Sequence, residues 1–208
     1  MKYTVVLPFT YKPYLDDFLS TCKLENILLI DNTIDNIGVM KSHNRGIDKM
    51  LADNSDWLIV ISPAIKFGKP GGLDFIERLT ERSGDHVVEA AGVFGWHLIA
   101  FSRDTIKKVG RWDENFTPYG YDDLDYSWRI QQAFQLENTR PVWHKVAVDV
   151  TDKGMAHSIN IANVKMPEEH NQKCREYYIR KWGGIPTPLF KYPFNDKTKS
   201  ITYWPEPK

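Results

Sequence analysis

Tyr3-Thr4-Val5-Val6-Leu7-Pro8, Ile27-Leu28-Leu29-Ile30-Asp31-Asn32 and Trp57-Leu58-Ile59-Val60-Ile61-Ser62-Pro63 are three short apolar runs, each stopped by proline or a polar pair. Runs of this length, rich in Val and Ile, read as strands. Between them the apolar residues recur at helical spacing: Tyr14, Leu15, Phe18, Leu19 and Cys22 after the first run, and Val39, His43, Ile47, Met50 and Leu51 after the second. Gly71-Gly72 then opens a third helical pattern through Leu73, Ile76 and Leu79. The order βαβαβα is that of a parallel α/β sheet. The second run is wholly apolar, as in a sheet covered on both faces. Ligands of such sheets bind at the carboxyl ends of the strands. Here those ends are Pro8-Phe9-Thr10, Asp31-Asn32-Thr33 and Ser62-Pro63-Ala64.

The second half differs. Val87–Ala90 and 96–101 read as neighbouring strands, and Ser102 caps a short helix ending at Gly110. A polar, aromatic loop over 111–121 leads to a helix over 122–134, and 142–150 reads as one more strand. Pro167 starts a last helix, with Cys174, Tyr177, Tyr178 and Trp182 on one side, which stops at Gly183-Gly184. We expect one domain over 1–184 and a proline- and aromatic-rich tail over 185–208 that packs on it or on a partner.

Composition narrows the function. The 208 residues carry 27 basic and 27 acidic side chains, so no global field favours a polyanion. No apolar run approaches a membrane span. The five apolar residues before Pro8 are too short for a secretory core. The two distant cysteines read as reduced thiols, and the expected location is cytoplasmic. There is no Gly-x-Gly-x-x-Gly after the first strand, no phosphate loop at Gly68-Lys69-Pro70, no Gly-x-Ser-x-Gly and no His-Glu-x-x-His.

The chemistry-bearing stretch is Gly110-Arg-Trp-Asp-Glu-Asn-Phe-Thr-Pro-Tyr-Gly-Tyr-Asp-Asp-Leu-Asp-Tyr-Ser-Trp-Arg129. Asp122, Asp123 and Asp125 crowd a helix start, where capping accounts for one or two of them. At 100° per residue Asp123 shares a face with Tyr126, Ile130 and Phe134, the face expected to pack on the sheet. A carboxylate turned inward there is costly unless it is used. Asp125 and Arg129 form an i,i+4 pair.

Together these segments resemble the family 2 glycosyltransferases of the GT-A fold, and in particular a small bacterial or viral member. The residues that carry the resemblance are Val6-Leu7-Pro8, Ile30-Asp31-Asn32, Asn36-Ile37-Gly38 with Asn44-Arg45-Gly46-Ile47, Val109-Gly110-Arg111-Trp112-Asp113-Glu114-Asn115-Phe116, and Asp122-Asp123-Leu124-Asp125-Tyr126-Ser127-Trp128-Arg129. The fold this implies is a Rossmann-like mixed sheet flanked by helices, with a C-terminal helix and an extended tail. The activity it implies is inverting transfer of a hexose from a nucleotide-sugar, a UDP-sugar above all, to an acceptor hydroxyl. The acceptor is not legible: a glycan, a lipid-linked sugar, a protein and a modified nucleobase all occur in the family.

The resemblance also implies residue roles. Pro8, Phe9, Thr10, Asp31 and Asn32 would hold base and ribose, although Asp31 also suits an Asx turn. Lys41 and Asn44 would approach the diphosphate or ribose, and Ser62 and Ala64 would complete the donor site. Asp123 would be the catalytic base, with Asp122 orienting it or binding acceptor. Trp96, Tyr121 and Asp125 would line the acceptor side. One position breaks the pattern. Ala64 stands where the family has the aspartate that binds Mn2+ or Mg2+, and alanine cannot coordinate a cation. His157, with His144 second, is the candidate to hold a metal with a carboxylate. Lys41, Arg45 and Lys66 are candidate cationic replacements. The alternative reading is a catalytically inactive GT-A-like module that binds sugar or a partner.

Overall fold

In the computed structural model the three apolar runs form β1 (Tyr3–Phe9), β2 (Ile27–Asp31) and β3 (Trp57–Ile61), paired in parallel. Residues 1–93, 96–117, 120–134, 143–153 and 168–182 are described. Two further strands, β5 (Val87–Ala90) and β6 (Leu98–Ser102), and then β7 (Trp143–Val146), complete a six-stranded sheet in the order β2-β1-β3-β6-β5-β7. β6 runs antiparallel to both β3 and β5, so the sheet is mixed rather than wholly parallel.

Alternation along β1 sends its side chains to two cores. Val5 and Leu7 join Phe18 of α1 (Lys12–Leu19) and Phe75 of α3 (Leu73–Glu81). Val6 faces Met40, Ile47 and Met50 of α2 (Val39–Ala52). The same second face carries α4 (Arg103–Val109), α5 (Asp122–Phe134) and α6 (Glu168–Trp182). Gly46 lets α2 lie directly on the sheet, since a Cβ there would stand 2.7 Å from Cβ of Val6.

Four expectations are corrected. β2 is an edge strand, not one covered on both faces, and Leu29 is 44% exposed. A fully apolar run carries no mark of edge or centre. The expected single strand over 142–150 is two. β7 ends at Val146, and β8 (Val150–Asp152) pairs instead with β4 (Ile65–Phe67) in a separate ribbon. The chain is bent between them by bonds to Asp149, whose N–H donates to Asp74 and whose carbonyl accepts from Gly68. β4 itself was not expected; its three residues are too short for a periodic signal. Finally, the strand expected over 96–101 begins at Leu98. Pro167, Gly183 and the 185–208 segment lie outside the described residues.

Candidate active site

The carboxyl ends of β1 and β2 are joined by a bond from Asn32 N–H to Phe9 O (2.8 Å). Asn32 is buried. Its amide donates to Ser42 Oγ of α2, and its Oδ1 accepts from Ile37 N–H. Asp31, beside it, is exposed. Its Oδ1 accepts from the hydroxyl and the N–H of Thr33 at 2.6 and 2.8 Å, which makes the Asx turn and holds the carboxyl below its ordinary pKa. Thr10 is exposed, Pro8 half-buried and Phe9 buried.

The first turn of α5 reaches the same rim. Phe134, at the far end of this helix, stacks on His86 at 3.7 Å, and His86 immediately precedes β5. β5 begins level with the start of β3, through Val87–Phe101 and Phe101–Leu58. Thirteen helical residues rise about 20 Å, so Asp122 and Asp123 lie toward the strands' carboxyl ends. The chain enters this turn through Gly120 (φ 112°) and Tyr121 (φ 63°). A bulky residue with positive φ is strained, and such strain gathers at functional sites. Asp122 accepts from Gly120 N–H at 2.9 Å and Asp123 from Leu124 N–H at 2.8 Å. Burial, with the Asp123 charge adding to it, pushes Asp122 up to about 7; desolvation raises Asp123 as well.

Asp123 was expected to turn inward, and the structure corrects this. Tyr126, Ile130 and Phe134 do enter the core, but Asp123 is exposed. The inward carboxylate is Asp125, 1% exposed. One oxygen accepts from Arg129 Nε (3.0 Å); the other accepts from Trp182 Nε1 (2.8 Å) and Lys181 Nζ (2.8 Å). Lys181 also donates to Asp113 at 2.6 Å, and Tyr177 to the same Asp113 oxygen at 2.8 Å. Burial pushes Asp113 up, but Lys181 outweighs it and holds the carboxyl below its ordinary value. Arg129 donates onward to the carbonyls of Val109 and Arg111. Two acids and two bases thus neutralise one another inside the protein. Asp125, expected on the acceptor side, faces this network instead of solvent.

The other expected residues divide. Asn44 is buried and its amide is spent on the loop before α5: Nδ2 donates to Trp112 O and Glu114, and Oδ1 accepts from Trp112 N–H. Lys41 and Arg45 are exposed on α2. Lys66 is paired with Asp17 (2.8 Å), which Lys153 also binds; those two lysines hold Asp17 down to about 2. Trp96 is half-buried against the rings of Phe101, Trp112, Tyr126 and Trp143. Tyr121 is half-buried beside Tyr178. His144 lies away from the rim, 3.5 Å from Asp85. His157 lies outside the described residues.

Ala64 is buried and brings no donor to the end of β3. Among the described residues no three His, Cys, Asp or Glu side chains stand together as a metal cage. Two potential ligands do adjoin Ala64. His97 Nδ1 lies 2.9 and 3.0 Å from the two oxygens of Asp152. Sequence reasoning missed this pair, because residues 55 positions apart leave no spacing signal.

No protein-family model and no curated protein matches the chain. Solved structures do. S. aureus TarS matches over 88% of this chain and 44% of its own at 10% identity, with a TM-score of 0.50; the chain spans less than half of TarS. The fold is that of the GT-A glycosyltransferases. A mannosyltransferase from Pyrobaculum calidifontis, solved with GDP-Man and Mn2+, matches at 14% identity over 91% of this chain and 67% of its own, with a TM-score of 0.47. A shorter form of TarS, residues 1–349, solved with UDP-GlcNAc, matches at 10% identity over 91% and 75%, with a TM-score of 0.46. No described helix is long and apolar enough to cross a membrane.

Proposed function

We propose that the protein is an inverting glycosyltransferase that moves a hexose from a UDP-sugar to an acceptor hydroxyl. The observation that carries this reading is that the β1 and β2 ends and the first turn of α5 all lie toward the carboxyl edge of one GT-A sheet. Asp31 accepts hydrogen bonds from uracil or ribose, and Pro8, Phe9 and Thr10 flank the base. The acceptor oxygen attacks C1 of the sugar from the side opposite the diphosphate. The new C–O bond forms as the C1–phosphate oxygen bond breaks; the electron pair leaves with UDP and the acceptor's proton passes to Asp123. A single displacement inverts the anomeric centre. Asp122 keeps the pair's charge tunable, and its raised pKa supports a site shaped for proton transfer. Trp96 and Tyr121 border the acceptor.

The test is release of UDP or GDP from a panel of nucleotide-sugars, with and without Mn2+, alongside calorimetric binding. Absence of both release and nucleotide binding rejects the reading. The buried Ala64 favours a second reading, a binding module without turnover. Carbohydrate affinity without nucleotide affinity would select it.

A further inference from the structure

Ser62-Pro63-Ala64 is flanked on both sides by backbone bonds. Ser62 N–H donates to His97 O (3.0 Å), and Lys153 N–H donates to Ala64 O (3.0 Å). Asp152 stands opposite Ile65 in the β4–β8 ribbon. The fold therefore brings one residue from before β6 and one from β8 to the tripeptide whose last position has lost a carboxylate. There their side chains meet, at 12% and 7% exposure, with Nδ1–H of His97 donating to both Asp152 oxygens.

We propose that Asp152 is the protein ligand of a divalent cation shared with the donor's diphosphate, and that His97 is the residue that positions it. This rests on the nucleotide-sugar reading. One observation and two general properties of hard cations carry it. The carboxylate stands across the ribbon from Ile65, next to Ala64, whose own side chain supplies none. Oxygen is the ligand that hard cations such as Mn2+ and Mg2+ select. Cations of nucleotide sites need no protein cage, because one or two carboxylates suffice when phosphate oxygens and water complete the shell. A ligating carboxylate is in turn held by a hydrogen-bond donor, and His97 Nδ1–H is that donor. On this reading Asp152 of β8 supplies the carboxylate that Ala64 lacks.

The experiment uses the full chain, Mn2+ and UDP. Bound Mn2+ is read from loss of the free-ion electron paramagnetic resonance signal, and UDP affinity from calorimetry with Mn2+ or with chelator. The wild type is expected to bind one Mn2+ per chain when UDP is present, and UDP more tightly when Mn2+ is present. His97→Ala should weaken Mn2+ binding roughly 10- to 100-fold, and Asp152→Asn at least as much. Both should leave metal-free UDP affinity within about twofold, a control for folding as well as for the nucleotide site. If Asp152→Asn and His97→Ala both retain wild-type Mn2+ affinity, the assignment is overturned. It is overturned too if Mn2+ leaves UDP binding by the wild type unchanged, in which case Lys66 and Lys153 become the neutralising groups. If neither UDP nor GDP binds under any condition, the transferase reading fails and takes this assignment with it.

Discussion

Lys181 Nζ lies 2.6 Å from Asp113 Oδ2, both side chains at least 96% buried, and this bond ties the last described helix to the loop that precedes α5. The same ammonium reaches Asp125 within α5. Such a network is stable as a set and fragile in its parts: removing one member strands the others' charges in the interior. Lys181→Met should therefore cost about 3–5 kcal/mol, read as a lower urea midpoint at unchanged slope. A midpoint equal to the wild type would mean that the acids are not charged in the fold.

Asp123→Asn keeps the shape of the first turn of α5 and removes the proposed proton acceptor. Turnover should fall about 10²–10⁴-fold while UDP affinity stays the same. Unchanged turnover would assign the base to another residue.

Asp31→Ala removes the exposed acceptor at the end of β2 together with the anchor of its Asx turn. A hydrogen bond to a charged group is worth about 1.5–3 kcal/mol, so UDP should bind about 10- to 100-fold more weakly. Calorimetry decides. An unaltered affinity would move the base pocket away from this strand end.

The raised pKa of Asp122 has a definite sign for stability. Its ionised form is disfavoured in the fold, so stability is fullest below the unfolded value near 4 and is lost as pH rises toward about 7. Asp122→Asn should flatten that decline, so that its melting temperature gains on the wild type between pH 4 and pH 8. Parallel profiles for the two proteins would contradict the shift.

Gly46→Ala places a methyl 2.7 Å from Cβ of Val6. Neither β1 nor α2 can yield without disturbing the core they share. The substitution should cost about 1–3 kcal/mol in chemical denaturation. A neutral outcome would show that α2 can lift from the sheet.

How far the chain could be read from residues alone depended on range. The three strands and α2 were legible because an apolar run or a 3.6-residue period is a local property. The partnership of Asp125 and Arg129 was legible for the same reason, being one helical turn apart. What escaped was set by distant chain. The direction of β6, the edge position of β2 and the division of 142–150 between two sheets depend on pairings that no window contains. The exposure of Asp123 and the burial of Asp125 were not legible, because helical phase fixes relative angles only. The partners that hold Asp125 inside, Lys181 and Trp182, lie more than fifty residues away.

The dependence of α5 on Lys181 and Trp182 has a bearing on synthesis. Until residue 182 has left the ribosome, Asp113 and Asp125 lack the ammonium that they share. A chain broken off before that point would bury both carboxylates without their shared counter-charge, so partial products should be less stable than the full chain.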